Sequence, residues 1–188
     1  MKVQANTVRA GHVLDHNGRQ YTVLGIEILQ PGKGGAFIQV EMRDLKSGNK
    51  TNVRWRTQET VERLHVDEKE ATYLFGDADN VTLMDKETFD QFTVPRDLLG
   101  EAAKFLQDGM ELTVDTVEGA PVAVHLPQQV TMRIEQADPV VRGQTASSSY
   151  KPAVLENGVR VMVPPHIESG TRIVVSTADG TYVERAKD

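Results

Sequence analysis

Tight-turn dipeptides constrain this chain more than anything else in it. Asn17-Gly18, Ser47-Gly48, Glu118-Gly119, Asn157-Gly158 and Asp179-Gly180 cut it into short pieces. Pairs of this kind close hairpins because glycine and asparagine reach positive φ at little cost. Between them lie runs rich in Val, Ile, Thr and Tyr, at residues 21–29, 36–43, 50–56, 80–84, 111–117, 122–126, 130–135, 159–163 and 172–176. Short strands joined this way predict small barrels or sandwiches rather than βαβ units. The chain reads as all-β.

One stretch departs from the pattern. Residues 97–106 (DLLGEAAKFL) place Leu98, Leu99, Ala102, Ala103 and Leu106 near a 3.6-residue period, with Pro95 before them and Gly109 after. A short helix is expected there, plugging a barrel mouth or supporting a connection. Residues 143–150 (GQTASSSY) are small and polar and read as a mobile loop. The polar segment 65–70 (HVDEKE) and the pair Pro127-Gln128 mark module boundaries, giving 1–64, 65–127 and 128–188. Modules of this size suit SH3-type and OB-type barrels, each burying only about 60% of its unfolded surface.

Charge is distributed unevenly over those modules. The first carries ten Lys and Arg against six Asp and Glu, the second four against fourteen, the third seven against seven. A formal net charge of −6 argues against a general nucleic-acid binder, because phosphate neutralisation drives such binding. The basic first module is the exception, and modules of opposite sign suggest different partners. The chain has no cysteine, which excludes disulfides, thiolate metal sites and cysteine nucleophiles. Its first residues lack an apolar signal region, and no apolar run approaches the about 18 residues of a membrane span. A cytoplasmic protein with no membrane partner is expected.

Residues 30–35 (QPGKGG) lie between two strand-like runs. Pro31 ends the first strand, since it cannot join a ladder. Gly32, Gly34 and Gly35 let the backbone take positive φ on both sides of Lys33. The expected product is a hairpin tip carrying a bare lysine. A phosphate-binding loop is excluded, because its lysine precedes Ser or Thr at the start of a helix, whereas Lys33 precedes glycine and then a strand. The plainer reading is a flexible tip with an ordinary solvated lysine.

Residues 31–37 (PGKGGAF) resemble the signature tip of the bacterial elongation factor P family, whose eukaryotic and archaeal counterparts carry hypusine. Residues 143–167 (GQTASSSYKPAVLENGVRVMVPPHI) resemble the C-terminal signature of the same family, and residues 179–185 (DGTYVER) are similar to its ending. The likeness covers essentially the whole chain. Departures occur at Gln144, where an acid is common, at His166, where Phe is common, and at Thr171, where an acid or similar polar residue often follows Gly170.

The resemblance implies an SH3-like, KOW-type domain followed by two OB-folds, in an L shape similar to tRNA. It also implies ribosome binding between the peptidyl and exit sites, beside peptidyl-tRNA, when synthesis stalls at consecutive prolines. Lys33 would then lie near the CCA end and be extended by a lysine-modifying enzyme. The third module would reach the small subunit, offering Gly143, Gln144, Thr145 and Ala146 to messenger RNA or the anticodon arm, with Tyr182 and Arg185 as further contacts. Arg54 and Arg56 in the basic module are candidate phosphate contacts. The plainer readings are cross-strand surface pairing for the two arginines and a half-buried strand position for Tyr182. A monomer with no cofactor and no metal is expected.

An enzyme is not expected. Among His12, His16, His65, His125 and His166, only His12 and His16 are four apart, and Asn17-Gly18 puts them in a strand or turn. No metalloprotease, nucleophile-elbow or dinucleotide pattern occurs. Asp77 and Asp79 fall in a turn sequence (GDADN), where Asx hydrogen bonds account for them. The alternative function is a generic OB-fold binder of single strands, which needs aromatics interleaved with basic residues. Phe75, Phe89 and Phe92 lie in the most acidic module, so core packing is expected of them.

Overall fold

The computed structural model describes residues 1–139 and 149–187, in which strands dominate and form three antiparallel sheets. The first contains β1 (Lys2–Gln4), β2 (Val13–His16), β3 (Arg19–Leu29), β4 (Phe37–Asp44), β5 (Lys50–Arg56) and β6 (Thr60–Leu64). Their order is β1-β6-β2-β3-β4-β5. Asn17 at φ 54° and Gly18 at φ 78° form the two-residue turn that sets His16 opposite Arg19. Alternation along β4 buries Ile38, Val40 and Met42 against Leu14, Val23 and Val61. A bulge between Val23 and Gly25 lets Leu24 slip out of the β3–β4 ladder, which then runs on to Leu29 opposite Phe37. Extra residues of this kind bend a strand and sharpen its twist.

The second sheet holds β7 (Asp67–Gly76), β8 (Asn80–Asp85), β9 (Gln91–Pro95), β10 (Glu111–Val117) and β11 (Ala120–His125), in the order β11-β10-β7-β8-β9. Most of the polar stretch 65–70 turns out to open β7. The expected helix is two 3-10 turns, Arg96–Leu98 and Gly100–Phe105, with Gly100 at φ +59° interrupting them. Positive φ at that point stops an α-helix from running through. Leu99, Ala103 and Phe105 are the residues the segment buries. The expectation of core packing fails for two aromatics: Phe75 is 61% exposed and Phe89 is 69% exposed. Phe75 stands on the outer face of β7 opposite Thr82, and Phe89 sits at a hairpin tip, so neither can reach the barrel interior.

The third sheet contains β12 (Gln129–Ala137), β13 (Lys151–Leu155), β14 (Arg160–Val163), β15 (Arg172–Ser176) and β16 (Tyr182–Arg185), ordered β14-β13-β12-β15-β16. Inward residues of four strands, among them Ile134, Leu155, Val163 and Ile173, pack with Ile167 into one core. Phe105 enters that core from the 3-10 segment. Asn157 Nδ2 donates to the Lys104 carbonyl at 2.8 Å, and Gln107 Nε2 donates to the Thr131 carbonyl at 3.0 Å. By compactness the chain divides into residues 1–69 with 114–123, and 70–113 with 124–188. No helix among the described residues is long and apolar enough to cross a membrane.

Candidate RNA-contacting site

β3 and β4 stay paired out to Leu29 and Phe37, with β5 paired to β4 as far as Arg56, so the seven residues 30–36 form the loop at that end of the sheet. Lys33 at its centre is exposed, and among the described residues no carboxylate pairs with it. A Cβ built at Gly32, Gly34 or Gly35 would meet nothing within 4 Å. Of the three, only Gly34 takes positive φ, at +111°. The backbone is thus left-handed on one side of the lysine, not on both as the sequence suggested. An ammonium so placed is a compact, solvated point charge with three donors and no competing acceptor nearby.

Alternation in β5 puts Lys50, Asn52, Arg54 and Arg56 on one exposed face. Lys50 Nζ lies 3.7 Å from Glu41, but among the described residues neither Arg54 nor Arg56 has an ion pair. The Arg54 guanidinium instead lies 5.8 Å from the centre of the Phe37 ring, and Phe37 is directly opposite Arg56. For Arg54 the plainer reading, cross-strand surface pairing, is met by the Phe37 ring of β4 and not by a carboxylate. Phe37 was not singled out from the sequence. Its signal was period-2 parity: Phe37 shares a face with Arg54 and Arg56 once the β4–β5 register is known.

On the inner side of the same strands Trp55 packs against the first core, with the His16 ring edge-on at 5.4 Å. His12 accepts the Arg9 backbone N–H through Nδ1. Burial, with Arg63 and Arg9 nearby, holds its pKa below the ordinary imidazole value. Among the described residues no three His, Asp or Glu side chains converge as metal ligands.

In the third sheet Tyr182 is half-buried on β16, packed on the core, with the Tyr150 ring edge-on at 6.3 Å. Burial, then Tyr150 and Glu184, raises its phenol pKa. Arg185 is exposed on the same strand, opposite Ile173. Gly143, Gln144, Thr145 and Ala146 lie outside the described residues. Phe37, Arg54 and Arg56 thus share one face of the first sheet, and Tyr182 and Arg185 lie on β16 of the third.

Comparison with known proteins supplies the rest. Residues 4–61 match the family model described as elongation factor P KOW-like domain, residues 66–124 the elongation factor P OB domain, and residues 130–185 elongation factor P, C-terminal. Elongation factor P of Acidiphilium cryptum is 67% identical over 187 residues, and that of Rhodospirillum centenum 63% identical over 188, with both chains covered in full. Among solved structures, eukaryotic translation initiation factor 5A from Methanococcus jannaschii aligns with a TM-score of 0.53 and 22% identity, over 68% of this chain and 94% of that one. That likeness concerns the fold, and it agrees with small all-β modules in series. The KOW-like, OB, C-terminal order follows from the domain matches. With relatives this similar along its whole length, the chain belongs to the elongation factor P family of translation factors.

Proposed function

We propose that this translation factor binds the ribosome between the peptidyl and exit sites and restores peptide-bond formation at stalled runs of proline. Proline is a constrained secondary amine, and its ring narrows the geometries open to peptidyl transfer. A factor that holds the CCA end of peptidyl-tRNA and the nascent chain in a productive pose accelerates transfer through orientation, with no acid, base or nucleophile of its own. The observation that carries this reading is the bare Lys33 on its glycine-flanked tip, at the end of the β3–β4 ladder. Lys33, bare or extended by a modifying enzyme, donates to phosphate or sugar groups. Arg54 and Arg56 lie along the backbone as phosphate contacts, which position without reading sequence.

The acidic middle module acts as a spacer that repels wrong RNA surfaces. The third module serves the small-subunit side, through Gly143–Ala146 together with Tyr182 and Arg185, facing messenger RNA or the anticodon arm. The factor works as a cytoplasmic monomer. The experiment is a depleted translation extract with a Pro-Pro-Pro reporter. Lys33→Ala is expected to fold normally and fail to relieve the stall, and equal yields from variant and parent would refute the proposal. Protein purified from its own cells is expected to carry extra mass on the peptide containing Lys33. An unextended mass there removes the modified-lysine form of the mechanism.

A further inference from the structure

The same six-residue turn closes a hairpin in each of the three sheets. At residues 44–49, Gly48 N–H donates to the Asp44 carbonyl at 2.9 Å, and Asp44 N–H to the Asn49 carbonyl at 2.9 Å. At residues 85–90, Phe89 N–H donates to the Asp85 carbonyl at 2.9 Å, and Asp85 N–H to the Asp90 carbonyl at 2.9 Å. At residues 176–181, the matching bonds from Gly180 to Ser176 and from Ser176 to Thr181 are 2.8 and 2.9 Å. The first two turns also share an aspartate whose Oδ1 accepts two backbone N–H groups, at 2.8 and 3.2 Å in one and 2.8 and 3.1 Å in the other.

The position before the last residue is left-handed in all three turns. Glycine occupies it twice, at φ 74° for both Gly48 and Gly180, whereas the third holds Phe89 at φ 62°. A bulky side chain at positive φ is a genuine outlier where glycine is the unstrained choice. The strain is not repaid by packing, since Phe89 is 69% exposed. An aromatic ring kept in water on a strained backbone points to a use outside the fold.

The charges around the ring limit what it can meet. Glu87 and Asp90 are exposed beside it. The one cation of the turn, Lys86, is held by Glu111 at 2.8 Å and Glu70 at 3.5 Å. Carboxylates around a ring repel a phosphate backbone, so stacking on RNA bases is disfavoured. They attract Lys and Arg on a protein, and an exposed aromatic seated in an apolar pocket is a common interface anchor.

We propose that Phe89 is a docking anchor for a basic protein of the ribosome, with the exposed carboxylates of Glu87 and Asp90 in the same turn steering it there. This rests on the ribosomal reading above but not on Lys33 or proline. The test is equilibrium binding of the whole chain to purified ribosomes. Phe89→Gly removes the ring and restores the residue the other two turns use. Its Tm is expected to rise while its Kd for ribosomes weakens by about tenfold or more, as for interface hot spots. Unchanged affinity overturns the anchor and leaves the Lys33 mechanism standing, whereas a parent chain that fails to bind ribosomes takes both down. With Phe89→p-benzoylphenylalanine, illumination of the ribosome complex is expected to cross-link a basic ribosomal protein. A cross-link to ribosomal RNA, or none, overturns the proposal.

Discussion

Truncating Phe105 tests how the 3-10 segment is tied to the third core. Its ring is 3% exposed and packs among the buried residues that include Val130, Met132 and Ile173. A Cβ built at Gly180 would lie 3.5 Å from its Cζ, so the ring tip rests against the turn after β15. Removing a buried phenyl group costs the transfer free energy of the ring plus that of the void, together about 3–5 kcal/mol. The bonds from Asn157 to Lys104 and from Gln107 to Thr131 flank the ring, and each is worth only about 1 kcal/mol net. The ring therefore dominates the tie.

Phe105→Ala is expected to lower Tm by about 10 °C or more in calorimetry, given about 2–4 °C per kcal/mol for a chain of this length. Amide exchange should accelerate in β12 and β15, whose inward residues lose the ring. Phe105→Leu should recover about half the loss, because it leaves the smaller void. Combined with Asn157→Ala, the two losses should not add, since both groups hold the same contact. A loss below about 1 kcal/mol for Phe105→Ala would show that the ring can leave without leaving a cavity, and the reasoning from burial would fail.

At the arm tip, Gly34→Ala forces an L residue to φ +111° and is expected to impair the Pro-Pro-Pro reporter, while Gly32→Ala, at ordinary φ in open space, leaves it near the parent value. Equal reporter values from the two would show that backbone handedness beside Lys33 does not matter. Backbone N–H groups of Lys46 and then Ser47 hold the Asp44 carboxyl below its usual pKa. Asn80 and then Asp79 do the same for Asp77, and the Thr181 hydroxyl and then its N–H do so for Asp179. Lowered folded pKa values give stability that is complete above the unfolded carboxylate range and lost as pH falls through the folded values, below about 4. Asp44→Asn should therefore reduce Tm at pH 7 and narrow the gap from the parent toward pH 2; a gap constant with pH would refute this.

What the sequence revealed was whatever local chemistry decides. Runs of β-branched residues between Gly-containing turns became β3, β4, β5, β10, β12 and β15, because period-2 patterning needs no distant information. The strands it hid are polar or interrupted. β7 opens with Asp67, Glu68, Lys69 and Glu70, and β16 is Tyr-Val-Glu-Arg. β13 contains Pro152, which pairs with Met162 of β14 while the β12 ladder begins only at Ala153. Proline survives there because no hydrogen bond to β12 is asked of it. The tip lysine was legible because glycines announce it. The Arg54–Phe37 contact was not, since it depends on register. Phe75 and Phe89 were misread for a related reason: composition locates a charge, but only the turn and strand geometry decides which way a ring faces.

The direction in which Lys33 is offered depends on Leu24. Val23 is paired with Met42, but the next pair is Gly25 with Glu41, so β3 spends two residues where β4 spends one. Leu24 is the extra residue, and it is 36% exposed. On one side of the bulge the ladder pairs Val23 with Met42; beyond it, residues 25–29 and 37–41, with Ile38 and Val40 still buried in the first core, lead to the tip. The added twist at a bulge therefore aims the arm, and the missing side chain of Gly25 leaves it free to bend. Deleting Leu24 lets Gly25 follow Val23 in register without flipping any face beyond it. The first core keeps every buried residue, so stability should change by no more than about 1–2 kcal/mol. The tip is re-aimed nonetheless, and misplacement of a positioning group by about 1 Å can cost about a hundredfold in rate. A deletion variant that folds, binds ribosomes and still relieves the Pro-Pro-Pro stall at the parent rate would mean that the loop finds its target by flexibility, and that the stiffness of β3 and β4 has no part in positioning Lys33.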